Sequence, residues 1–146
     1  MEYLIGSSLA VAVCLFALFA GFDRDRSFYP TMVLIVSTYY VLFAVMGGSA
    51  STVVAESLAA AVFFASAVAG LRRSPWFGVV GLIGHGLFDC VHHLVICNSG
   101  LPRYWPGFCL TYDIVAGAFL AGLIVRRSRR GNHLQVCSPS SQEGAQ

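Results

Sequence analysis

The chain has 146 residues, of which 57% are hydrophobic and 11% charged, with a mean hydropathy of +0.73 and a net charge of +2. A soluble domain carries about 25% charged residues, so too little polar surface remains here for a water-soluble globule. All nine basic residues are arginines placed at the ends of apolar runs, which excludes the basic stripe of a nucleic-acid-binding surface.

Five apolar runs follow in chain order, each close to the 20 or so residues that cross about 30 Å of hydrocarbon. The first, residues 3–22, follows Met-Glu-Tyr with no positive flank and ends at Asp23-Arg24-Asp25-Arg26, so it reads as a retained span and not a signal peptide. The second, 28–46, opens on Phe28-Tyr29-Pro30, where a proline near a helix start costs little. The third, 52–71, is closed by Arg72-Arg73-Ser74-Pro75, and the fourth, 76–97, by Asn98-Ser99-Gly100-Leu101-Pro102. The fifth, 107–125, runs into Arg126-Arg127-Ser128-Arg129-Arg130. Residues 131–146 are rich in Ser, Gln and Gly and read as a disordered tail, because they cannot bury enough to fold. Barrel strands alternate apolar and polar residues, and a segment such as Ala59-Ala60-Ala61-Val62-Phe63-Phe64-Ala65 does not. The expected fold is therefore all-α: a polytopic bundle of five transmembrane helices over residues 1–130.

Loop charges orient it. Arg24, Arg26, Arg72, Arg73, Arg126, Arg127, Arg129 and Arg130 fall on one side, and only Arg103 on the other. The positive-inside rule places the eight in the cytoplasm, with the N-terminus outside and the C-terminus inside, as in a bacterial inner membrane. Tyr104 and Trp105 would sit at the outer interface and Trp76 at the inner one. Small residues (Gly78, Gly81 and Gly84; Gly117 with Ala121; Ala118 with Gly122) predict close helix packing, with a homo-oligomer face as the lesser alternative. The five cysteines form no C-x-x-C spacing. Cys97 and Cys109 bracket the fourth loop and leave a disulfide open.

Six ionisable residues fall inside the spans: Glu56, His85, Asp89, His92, His93 and Asp113. A carboxylate near the bilayer centre costs about 2.5–3.5 kcal/mol on insertion scales, so each needs a partner, a metal or water. At about 100° per residue, His85, Asp89, His92 and His93 share one broad face of the fourth helix. Glu56 and Asp113, from the third and fifth, lie at matching depth in the outer half, about 6–9 Å below the helix ends. Imidazole and carboxylate ligands suit zinc or iron. His85, Asp89, His92 and His93 are thus candidate metal ligands, and Asp113 and Glu56 candidate catalytic groups or further ligands. Arg103, Tyr104 and Trp105, in the Pro-stiffened loop above, are a candidate substrate lip. Tyr39 and Tyr40 read as bundle packing.

The stretch Phe28 to Ile124 resembles a group of small bacterial multi-pass membrane proteins. The likeness rests on Phe28-Tyr29-Pro30, on His85-Gly86 with Asp89 and His92-His93, and on Pro102 to Asp113 with Trp105-Pro106 and Phe108-Cys109-Leu110. It implies a membrane bundle and no particular activity. A looser likeness is to membrane hydrolases of the alkaline-ceramidase and adiponectin-receptor type, which hold zinc with intramembrane His and Asp. Those have seven spans where this chain has five, and its histidines crowd one helix, so their activity does not carry over. The expected function is a metal-dependent membrane enzyme on a lipid-like substrate. The alternatives are a small transporter or ion-coupled permease, and a non-catalytic protein with a structural polar network.

Overall fold

A computed structural model describes residues 1–136. Five helices fill it: α1 (Glu2–Ala20), α2 (Phe28–Gly47), α3 (Ala50–Arg72), α4 (Trp76–Val95) and α5 (Trp105–Val136). All five are long and apolar enough to cross a membrane. No strand occurs among the described residues.

Local chemistry sets the ends. Ser49 caps α3, its Oγ accepting from the Thr52 amide at 3.2 Å, so the helix begins two residues before the expected Thr52. α4 stops at Val95 because Ile96 turns extended, two residues before the expected end at Cys97. α5 starts at Trp105, with Pro106 in the first turn where a missing amide costs nothing. It then continues past the expected end at Val125, because arginine is a strong helix former and extending an existing helix is easy. Its backbone carries through 131–136, the first part of the stretch expected to be a disordered tail; residues 137–146, with Cys137, lie outside the described residues.

α4 is the centre of the bundle. It packs against α5, α3 and α2, while α2 pairs with α3 and α1 lies along α5. At one end, Arg127 Nη2 donates to the backbone oxygen of Asp23 at 2.8 Å and to its Oδ2 at 2.6 Å, joining the loop after α1 to α5. Beside that contact the Ser27 amide donates to Asp25 at 2.9 Å and holds its carboxyl below the usual range. At the opposite end, Ser99 Oγ donates to the Gly47 carbonyl at 2.5 Å. Gly100 is pressed so closely onto the Phe43 carbonyl that a Cβ there would overlap the oxygen. The α4–α5 loop is thereby latched onto the α2–α3 corner.

The interior has two halves. Toward the arginine-rich end lies an apolar cluster including Cys14, Val33, Ala67, Leu82 and Leu120. Toward the other end the buried carboxylates and histidines of the spans are gathered. Gly78 and Gly81 are buried on α4, and Gly117 packs onto Ile83 and Leu82, so these small residues serve packing within the bundle. Ala118 and Gly122 face outward. Cys97 and Cys109 are both free, the first exposed and the second buried.

Candidate metal centre and cleft

α4 supplies the core of the site. His85, Asp89 and His92 recur at helical spacing on its buried face, and four helices converge there. The close approach of α5 depends on Gly86, where a Cβ would stand 3.1 Å from the Leu110 carbonyl oxygen and 3.2 Å from Asp113 Cβ. That gap brings Asp113 against His85: Nδ1 of His85 donates to Asp113 Oδ2 at 2.7 Å and lies 3.8 Å from Asp89 Oδ2. From α2, the Tyr40 hydroxyl donates to Asp89 Oδ1 at 2.5 Å.

A second pair adjoins this group. His92 Nε2 donates to Glu56 Oε1 of α3 at 2.8 Å. The Asn98 side chain donates to the same Glu56 oxygen at 2.8 Å and to the Tyr40 carbonyl at 3.2 Å. The Tyr40 ring separates the two groups, its centroid 4.7 Å from that of His92 and 5.5 Å from that of His85. Phe63 and Phe88 stand edge-on to the two histidines and close the apolar shell.

None of Glu56, His85, Asp89, His92 and Asp113 is more than 3% exposed, so bulk water cannot satisfy them. Yet Asp89 Oδ2 and Asp113 Oδ1 are buried with no hydrogen-bond partner. An unpaired buried carboxylate oxygen is costly, and a bound ion or a proton is the usual remedy. One ligand atom each from His85, Asp89 and Asp113 lies within 4.8 Å of the others, a group that could hold a metal ion. Ligands about 2.0–2.2 Å from a tetrahedral zinc stand roughly 3.3–3.6 Å apart. The 3.8 Å His85–Asp89 separation is close to that range, whereas the 2.7 Å His85–Asp113 separation is a hydrogen-bond distance that would open on metal binding. A metal held by these three residues would displace the His85 Nδ1 proton that Asp113 Oδ2 accepts.

The expected site residues therefore fall into distinct places. His85 and Asp89 are joined by Asp113 in the group that could hold a metal ion. His92 lies outside that group and pairs with Glu56. His93, at the edge of the polar stripe, is exposed and borders the cleft above the centre. Tyr40 and Asn98 are the residues that ranking the ionisable groups alone passes over.

Above the centre lies a cleft of about 910 Å³ whose lining includes Asp89, His92, His93, Asn98 and Arg103. It extends to Cys90 and Leu110 on the flanks of α4 and α5 and to Tyr3 at the start of α1. Of the expected lip, Arg103 alone borders it. Tyr104 and Trp105 line a neighbouring hollow with Met1 and Ile5, and Trp105 is anchored against Phe43 and Tyr39, with ring centroids at 4.9 and 5.2 Å.

No family model matches this chain, and no curated protein or solved structure does either.

Proposed function

We propose that this protein is a metal-dependent membrane enzyme acting on a lipid-like substrate, with His85, Asp89 and Asp113 holding a zinc or iron ion. The observation that carries this reading is the set of three buried ligand candidates within 4.8 Å, two of them with uncompensated carboxylate oxygens, beneath a cleft that reaches Asp89. Three protein ligands leave a coordination position open, and a metal there supplies Lewis acidity and an activated water. His92 borders the cleft beside Asp89, and Glu56 fixes its ring through Nε2. His92 would be the residue placed to take up a proton in the cleft, with Glu56 and Asn98 as positioning residues. Hydrolysis of an ester or amide at the head of an amphiphile is the matching reaction class. Apolar lining residues such as Leu110 and Ile96 favour a substrate with a hydrocarbon portion.

The orientation belongs to the same proposal. The eight arginines at one end favour a cytoplasmic C-terminus and an outer site in a bacterial inner membrane. The test is a screen of lipid esters and amides with purified protein, before and after chelation. Activity lost to the chelator, restored by zinc or iron, and lost in His92→Ala supports the enzyme. Activity indifferent to the chelator contradicts it.

One observation favours a second reading. Tyr40, Asp89, His85 and Asp113 form a run of exchangeable protons from α2 across α4 to α5, as a proton-coupled carrier would use. Proton-driven solute uptake into proteoliposomes, abolished by Asp89→Asn, would favour that reading over the enzyme.

A further inference from the structure

The buried carboxylates of the site each face a partner. Asp113 faces His85, Asp89 faces Tyr40, and Glu56 faces His92. Arg103 has no such counterpart: it is exposed on the cleft rim and makes neither an ion pair nor a side-chain hydrogen bond among the described residues. It is also the single arginine at this end of the bundle. The turn closed by the Trp105 amide on the Pro102 carbonyl, at 3.0 Å, carries it, and the latched loop around that turn fixes where the guanidinium is presented. The cleft lining combines polar residues, Ser49 and Asn98 among them, with apolar ones such as Leu110 and Pro106. A cation at the rim, hydrogen-bonding groups and apolar side chains thus share one lining, the mixture that the head and chain of an amphiphile need.

We infer that this cleft takes an amphiphile with a phosphate-bearing headgroup, Arg103 engaging the phosphate and the chain leaving along Leu110. A guanidinium presents paired N–H donors that match two phosphate oxygens, and arginine is favoured over lysine at such contacts for that reason. The phosphate is the shared chemistry of two sources, a membrane lipid and free phosphate. The apolar lining residues select the lipid. The inference rests on the proposed enzyme for what happens to the bound molecule, but the binding itself does not depend on catalysis.

The test uses the full chain in detergent micelles, with binding read by calorimetry and metal content measured on the same samples. The probes are dioctanoyl phosphatidylglycerol, dioctanoyl glycerol and inorganic phosphate. The variants are Arg103→Ala, Arg103→Lys and, at the far end of the bundle, Arg129→Ala. Arg103 is exposed, so its replacement leaves folding intact. The expected result is binding of about one equivalent of phosphatidylglycerol, weakened about tenfold or more in Arg103→Ala. Arg103→Lys falls between, Arg129→Ala matches the wild type, and the two other probes bind at least about tenfold more weakly. Unchanged affinity in Arg103→Ala, or an equal loss in Arg129→Ala, overturns the inference. So does inorganic phosphate binding as tightly as the lipid. Absence of metal from wild-type protein would overturn the enzyme reading instead, leaving the dependence on Arg103 to be judged on its own.

Discussion

The Tyr40 hydroxyl reaches across the α2–α4 contact to donate to Asp89 Oδ1 at 2.5 Å, while the same residue's carbonyl accepts from Asn98. Tyr40 therefore joins the candidate metal group to the His92–Glu56 pair through one side chain and one backbone oxygen. Tyr40→Phe keeps the ring between the two histidines and removes only the donor. Leaving an Asp89 oxygen unpaired should cost about 1–3 kcal/mol. Unfolding in detergent should register that loss, and metal affinity should fall with it. A variant as stable and as metal-tight as the wild type would remove Tyr40 from the site.

The His85–Asp113 contact calls for a larger effect. Removing one member of a buried pair leaves the other uncompensated, typically at about 3–5 kcal/mol. Asp113→Ala should reach that range, whereas Asp113→Asn, which keeps shape and one acceptor, should cost distinctly less. Equal losses for the two variants would mean that the charge both remove, and not the side-chain shape that Asn keeps, holds the contact.

Two neighbouring glycines of α4 should respond differently. Gly86→Ala forces its new carbon against Leu110 and Asp113 and must push α5 away. An overpacking cost of about 1–3 kcal/mol is expected, together with weaker metal binding. At Gly84 the nearest atom to a new Cβ is a Phe63 ring carbon at 3.9 Å, an ordinary contact. Gly84→Ala should therefore be neutral or gain up to about 1 kcal/mol of helix propensity. Thermal unfolding of the two variants side by side decides it.

Orientation can be read from a native thiol. Cys97 is exposed in the loop at the Arg103 end and Cys90 is exposed on α4, while Cys14 and Cys109 are buried. A membrane-impermeant maleimide applied to intact cells should label Cys97 in a Cys90→Ser, Cys137→Ser background. Labelling only after the cells are opened would reverse the proposed topology.

The five spans were legible because runs of apolar residues between arginines and prolines leave little else for the chain to do. The ends were less so: the Ser49 cap and the extended Ile96 each moved a boundary by two residues. The helical spacing of His85, Asp89 and His92 announced a polar face, and depth brought Glu56 and Asp113 to it. Spacing alone could not say how the face divides. That depends on which helix lies against which part of α4, and Gly86 decides it by letting Asp113 approach His85. His93, at the margin of the stripe, looked like a ligand on angle and is exposed. Tyr40 was hidden for another reason. A tyrosine in an apolar helix is ordinarily packing, and only its pairing with a carboxylate from another helix marks it out.

The most direct test of the central claim is metal content by mass spectrometry of detergent-purified wild type, His85→Ala and His92→Ala. About one equivalent of zinc or iron in wild type, lost in His85→Ala and kept in His92→Ala, is the predicted pattern for a centre built by His85, Asp89 and Asp113. A well-folded wild type without metal, or a metal lost in His92→Ala and kept in His85→Ala, would contradict it.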